Sequence, residues 1–171
     1  MPGTVAPRLI LLMGVAGSGK TTLGRRLAAR LSHTFIDADD FHSQEAVALM
    51  RSGAHLTDAM RDEWIERVAS ELLKHHHEGT SCVLAFSGLR VRHRRRLMNL
   101  GFATKAFLLT GDATLLRERI TQRADHFMPP SQLTHQLDTL EAPQRDEAIE
   151  CVDIGAPPEA IVDAIAAQLA S

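Results

Sequence analysis

The chain alternates between short, wholly apolar runs and longer stretches in which apolar residues recur every three or four positions. Leu9-Ile10-Leu11-Leu12-Met13 contains no polar residue, the pattern of a strand buried on both faces. Residues 22–31 follow with leucines and alanines on one side of a helical period, as an amphipathic helix requires. The alternation continues with a strand at 34–36 ending at Asp37, then helices over 43–52 and 58–77 broken by Gly53. Further strands are predicted at 81–86, 103–109 and 149–154, and further helices at 91–100, 113–123 and 158–169, the last entered through Pro157-Pro158. Met128-Pro129-Pro130 breaks the helical pattern and predicts the start of an irregular, mobile segment. Strands that alternate with helices predict an α/β fold, a five-stranded parallel sheet flanked by helices.

Two stretches interrupt this rhythm. Residues 42–79 form a helical excursion between the second and third strands, and residues 124–140 separate a helix from the last strand. The expected organisation is one domain over 1–171, with a core of 1–41, 80–123 and 141–171. Ligand chemistry is expected in the two insertions and at the C-terminal ends of the strands, where open α/β sheets bind. The 171 residues, 44% of them hydrophobic and 23% charged with a net charge of −2, suit one globular unit. That charge gives no general attraction to nucleic acid or to an anionic membrane. No apolar run approaches the roughly 20 residues that span a bilayer, and no charged-then-apolar leader opens the sequence, so a cytoplasmic protein is expected. Cys82 and Cys151 lie in strand-like runs and read as small core hydrophobes.

Between the first strand and the first helix stands Gly14-Val15-Ala16-Gly17-Ser18-Gly19-Lys20-Thr21, which fits the G-x-x-x-x-G-K-[ST] phosphate loop in the strand-to-helix context that gives the pattern meaning. The glycines let backbone N–H groups point at a polyphosphate, and the helix N-terminus adds positive potential. Gly14, Gly17, Ser18, Gly19, Lys20, Thr21 and Thr22 are therefore candidate ATP ligands. Lys20 is the cation for the β and γ phosphates, and the Thr21 hydroxyl is a candidate ligand for Mg²⁺.

Asp37, Asp39 and Asp40 put three carboxylates within four residues at the end of the second strand. Beside the expected γ-phosphate position they suit metal binding and capture of an acceptor hydroxyl; a solvated acidic turn is the alternative. Asp37 and Asp39 would both face the site if the strand ran on through them. The third strand ends in Ser87-Gly88, where many phosphate-loop proteins carry the acidic residue of the metal site, so strand two is the remaining source.

Taken together, MGVAGSGKTT, FIDADDFH, LMRSGAHLTDAMRDEW, FSGLRVRHRRRL, RADHFMPPSQLTHQLDTLEAP and VDIGAPPEAIVDAI resemble, in order and spacing, the small gluconokinases. These are shikimate-kinase-like enzymes that phosphorylate the 6-hydroxyl of gluconate with ATP. The resemblance spans nearly the whole chain, and its most distinctive part runs from His126 through Gln136 to Glu141 and Pro143. It implies a P-loop kinase fold with an acceptor-binding helical insertion at 42–79 and a lid at 124–140. It also implies a sugar-acid substrate, ATP and Mg²⁺ as cofactors, and allows a homodimer. Residue by residue, Asp37 would help hold Mg²⁺ and Asp39 would bind the acceptor hydroxyl as base or orienter. His42, Arg61, Ser87, Arg90 and Gln136 would line the sugar-acid pocket, and Arg119 and Arg123 would sit over the transferring phosphates. For any one of these arginines a solvated helix face or a structural ion pair is the alternative.

The sequence departs from the family pattern on the acceptor side. Ala46 and Leu49 stand where an asparagine and a lysine are usual, and Asp125 replaces a glycine. Residues 55–64 read HLTDAMRDEW instead of P-L-x-D-x-D-R-x-P-W, so His55, Met60 and Glu63 are departures. Losing donors at 46 and 49 points to a retuned acceptor pocket. The runner-up readings are a kinase for another aldonate or a shikimate-like acid, and an ATP-binding module without transfer. His75-His76-His77 reads as the C-terminal turn of a helix stopped by Gly79. The basic run Arg90 to Arg96 reads as an anion site at Arg90 followed by a solvated helix face, and Trp64 as a packing anchor.

Overall fold

The computed structural model describes residues 3–122 and 131–171. Its strands are β1 (Arg8–Met13), β2 (Thr34–Asp37), β3 (Cys82–Phe86), β4 (Ala103–Thr110) and β5 (Ile149–Asp153), all parallel in the order β2-β3-β1-β4-β5. The described helices are α1 (Lys20–Leu31), α2 (Gln44–Arg51), α3 (Asp58–His77), α4 (Val91–Met98), α5 (Ala113–Thr121), α6 (Ser131–Thr139) and α7 (Pro158–Ala170). The apolar run of β1 divides by parity. Leu9, Leu11 and Met13 pack with Trp64, Ile65, Val68 and Leu72 of α3 and Leu97 of α4, while Ile10 and Leu12 pack with Leu23 and Leu27 of α1 and Ile161 and Ile165 of α7. Two cores back to back on one sheet explain why the central strand carries no polar residue from Leu9 to Met13.

Boundaries differ from the sequence expectation where side chains redirect the backbone. β2 does not run through Asp39; a 3₁₀ turn over Ala38–Phe41 follows Asp37, whose Oδ1 accepts the Asp39 N–H at 3.0 Å. α4 stops at Met98, before Leu100, and α5 at Thr121, short of 123. The largest correction falls in the segment read as irregular: from Ser131 onward it is helix α6, with Leu133 and Gln136 buried. Proline pairs precede helices as well as end them, and the pattern could not say which. Cys151 is exposed on edge strand β5, not in the core, whereas Cys82 is buried and its thiol is pushed up to about 11, chiefly by burial.

The basic run on α4 is not a solvated face throughout. Arg94 is 1% exposed and spends all its donors: Nε and Nη2 on both Glu147 carboxylate oxygens at 2.8 and 2.9 Å, Nη1 on Gly88 O and Glu141 O, and Nη2 on Ala142 O. A buried ion pair of this kind persists because every proton finds an acceptor. It ties the loop after β3 to the chain that follows α6. The histidine tract does close α3, with Gly79 at φ 71°. Among the described residues no helix is long and apolar enough to cross a membrane, and no cluster of three metal-ligating side chains is present.

Candidate active site

The C-terminal ends of β1, β2 and β3 open on one cleft beside the central strand, and each contributes to it. From β1 comes the phosphate loop. Gly17 and Gly19 adopt φ 82° and 91°, the left-handed region that glycine enters without strain. A Cβ at Gly17 would also lie 2.7 Å from Leu116 O, so α5 packs directly on the loop. The Gly14 N–H donates to Ser87 O at 3.2 Å, which anchors the loop to the end of β3. Lys20 Nζ donates to Val15 O at 3.2 Å, bridging the loop from inside.

The Thr21 hydroxyl donates to Asp37 Oδ2 at 2.9 Å. Asp37 is therefore held from both sides, by a hydroxyl of α1 and by the Asp39 amide. Burial, and next the neighbouring Asp39 charge, push its carboxyl above the usual value despite those bonds. The 3₁₀ turn carries Asp39 into the cleft. His42 sits against it, Nε2 3.6 Å from Asp39 Oδ1, its ring stacked on Trp64 with centroids 4.4 Å apart. Trp64 in turn donates Nε1–H to Ala38 O at 2.7 Å, so the packing anchor expected from sequence also fixes the acidic turn.

The same cleft is lined by Arg61 of α3 and by Arg90, the residue before α4. Asp58 serves both: its Oδ1 accepts from Arg61 Nη1 at 3.3 Å and lies 3.4 Å from Arg90 Nη2. Arg90 Nη1 is 3.7 Å from Glu141 Oε1, yet its buried Nε has no hydrogen-bond partner among the described residues. Burial and the Arg90 charge lower the pKa of Arg61. Two guanidiniums, partly buried and close together, make a site that favours an anion.

α6 forms the remaining wall. Gln136 Oε1 accepts the Ala16 N–H at 2.7 Å, clasping the phosphate loop, and Gln132 and His135 also line the cleft. Neither of those two carried a sequence signal, nor did His93, which sits 2.8 Å from Asp62 Oδ1. Ser87 lines the same cleft, whereas Ala46 and Leu49 do not; Met50 and Leu56 take their place, and Ala46 is 2% exposed. On the other side of the loop a second groove is lined by Gly17, Gly19, Thr22, Arg119 and Gln122 of the described residues, with Pro158 across from them. Arg119 Nη2 donates to Ile154 O at 3.0 Å, and its Nη1 lies 3.9 Å from the space beside Gly19. Arg123, with residues 124–130, lies outside the described residues.

A family model described as an AAA domain matches residues 9–143. A gluconokinase of Arabidopsis thaliana is 36% identical over 98% of this chain and 95% of its own length. The chain belongs to the gluconokinase family. Solved structures agree: a gluconokinase from Sinorhizobium meliloti 1021 superposes with a TM-score of 0.84 at 33% identity, covering 97% of this chain and 93% of that one. An unliganded sugar kinase from Janibacter sp. HTCC2649 reaches 0.89 at 35% identity, over 95% and 94%. This gluconokinase-family chain is thus a small-molecule kinase with the five-stranded phosphate-loop fold, and its family implies use of ATP.

Proposed function

We propose that the protein transfers the γ-phosphoryl group of ATP to a hydroxyl of gluconate, giving 6-phosphogluconate and ADP. The observation that carries the reading is that one cleft joins Lys20 and the phosphate loop to Asp39 and to the Arg61–Arg90 pair. Their presence in one cleft supports a reading with a phosphate-donor site, an acceptor-hydroxyl site and a carboxylate site side by side.

Phosphoryl transfer has a loose transition state, so the protein's work is positioning and charge neutralisation. The backbone N–H groups of Gly17, Gly19, Lys20 and Thr21 would cradle the phosphates, with Thr22 beside them and the Lys20 ammonium on the γ-phosphate oxygens. Arg119, with Arg123 from outside the described residues, would neutralise charge on the phosphates. Asp39, steadied by His42, would accept a hydrogen bond from the acceptor hydroxyl and take its proton as the oxygen bonds to phosphorus and ADP departs. Arg61 and Arg90 would hold the carboxylate through the guanidinium donors they present to the cleft. Ser87 and Gln136 complete the acceptor wall.

The Thr21–Asp37 pair fits Mg²⁺, because a half-buried carboxylate beside a second carboxylate and a hydroxyl oxygen is a hard-oxygen donor set short of positive charge. Bound there, Mg²⁺ would neutralise charge on the β- and γ-phosphate oxygens.

Coupled ADP release with a panel of sugar acids tests the reading, and gluconate is expected to give the highest kcat/KM. Higher kcat/KM on another aldonate or a shikimate-like acid would replace the substrate, and no ADP release with any acceptor would leave an ATP-binding module. Asp39→Asn is expected to lower kcat about 10²-fold or more with the KM for ATP little changed.

A further inference from the structure

His135, on α6, is a cleft residue that the transfer chemistry above leaves unused. Its Nε2 lies 3.3 Å from Arg61 Nη2. An arginine offers only donors, so this contact is a hydrogen bond only when the His135 ring is neutral with its proton on Nδ1. The other face of the ring stacks on His55, centroids 3.6 Å apart and planes at 14°. His55 Nδ1 is 3.1 Å from Gln132 Oε1, and Gln132 Nε2 donates to Gly53 O and Ala54 O at 2.9 and 3.2 Å. α6 is thereby fastened to the α2–α3 connection through Gln132 and His55, and to α3 through the contact of neutral His135 with Arg61.

We infer that neutral His135 is a positioning residue for the acceptor: with Asp58 it fixes the Arg61 guanidinium toward the cleft, and acceptor binding weakens when His135 takes up a proton. The inference rests on the reading of Arg61 as a ligand of the acceptor carboxylate. The charged and titratable groups around His135 bear on its charge mostly in one direction. His55 from the α2–α3 connection, Arg61 from α3 and Arg90 from the residue before α4 all oppose an imidazolium, and only Asp138, on its own helix, favours one. Burial first, and then His55 and Arg61, lower its pKa from the ordinary 6.5. The ring is therefore neutral at pH 7.5, and the contact with Arg61 is lost as pH falls through a value below 6.5.

Two measurements test this on the full chain. Imidazole ¹⁵N shifts of the free protein at pH 7.5 are expected to show His135 neutral with the proton on Nδ1, and Arg61→Gln is expected to raise its pKa. A protonated ring, the opposite tautomer, or an unmoved pKa overturns the contact whatever the substrate. In steady-state kinetics with gluconate, His135→Leu is expected to raise the acceptor KM about tenfold at pH 7.5, the scale of one hydrogen bond to a charged group, while the KM for ATP holds. His135→Gln, whose amide oxygen reaches as far as Nε2 and does not titrate, is expected to restore that KM and to lack the rise in acceptor KM that the wild type is expected to show below pH 6.5. Equal acceptor KM in all three proteins, or a pH profile unchanged in His135→Gln, overturns the positioning role. Absence of turnover on gluconate in the wild type refutes the acceptor reading instead, and the role inferred for His135 falls with it while the ¹⁵N result still decides the contact.

Discussion

The phosphate end of the cleft is made mainly of backbone, and the acceptor end is made of side chains. Eight consecutive residues from Gly14 to Thr21 build the first, and its shape follows from the left-handed Gly17 and Gly19 and from the start of α1. The second gathers Arg61 from α3, Ser87 and Arg90 from the loop after β3, and Gln132, His135 and Gln136 from α6. A backbone cradle binds through groups that every residue carries, while a side-chain pocket changes with each substitution. The phosphate end is therefore expected to resemble that of any relative, and the acceptor end to carry whatever is particular to this chain.

The largest expected effect falls on the phosphate end. Lys20→Ala should lower kcat by about 10³-fold, the upper range for removing one preorganised charge from a transition state, while circular dichroism and the thermal midpoint stay near those of the wild type, since Lys20 lines the cleft and belongs to neither apolar core. A variant with full activity would break the contrast, because charge at this end would then be dispensable.

Asp37→Asn probes the hinge between the two ends. Burial and Asp39 raise the Asp37 pKa in the folded state above its unfolded value, so its contribution favours folding below the unfolded pKa and is lost as pH rises through the folded one. At neutral pH the ionised carboxylate costs stability. Asp37→Asn should thus raise the thermal midpoint at pH 7.5, with the gain shrinking toward pH 4, while Mg²⁺-dependent turnover falls about 10²-fold. A lower midpoint at pH 7.5 would mean that the bonds from Thr21 and Asp39 outweigh desolvation.

Legibility follows the same division. The phosphate loop, the five strands and the excursion at 42–79 were readable because each is contiguous and periodic. Asp37 and Asp39 were readable as a pair, but not the turn that separates them, since a single side-chain cap at Asp37 decides whether the strand continues. α6 was hidden behind Pro129-Pro130. Arg94 looked like its neighbours Arg95 and Arg96, which pair at the surface with Asp146 and Glu66; only the return of Glu147 from 53 residues away makes it a buried residue. His135 and Gln132 had no signal, because their partners are 74 and 77 or more residues distant.

At the acceptor end, Arg61→Gln and Arg90→Gln should each raise the acceptor KM by roughly 10-fold to 150-fold, the range for losing one charge-assisted hydrogen bond of about 1.5–3 kcal/mol, with the KM for ATP nearly unchanged. Unequal values would show which guanidinium carries the carboxylate. Arg90, whose buried Nε has no hydrogen-bond partner among the described residues, is expected to show the larger effect.

The smallest effect is expected at the positions that looked most telling in the sequence. Ala46 and Leu49 replace polar residues of the family pattern, and a retuned pocket was the reading. Neither side chain lines the cleft; Ala46 is buried in the first turn of α2 under the Ser43 cap, and Met50 and Leu56 occupy the cleft wall nearby. Placing Asn at 46 inserts an amide where only a methyl is packed, and a buried amide without a partner costs stability on the order of 1–3 kcal/mol. Ala46→Asn with Leu49→Lys should therefore change gluconate kcat/KM by less than about 3-fold and lower the thermal midpoint. A gain of tenfold or more in kcat/KM would show that α2 turns its polar face into the cleft when the acceptor binds, and the departures at 46 and 49 would then account for specificity after all.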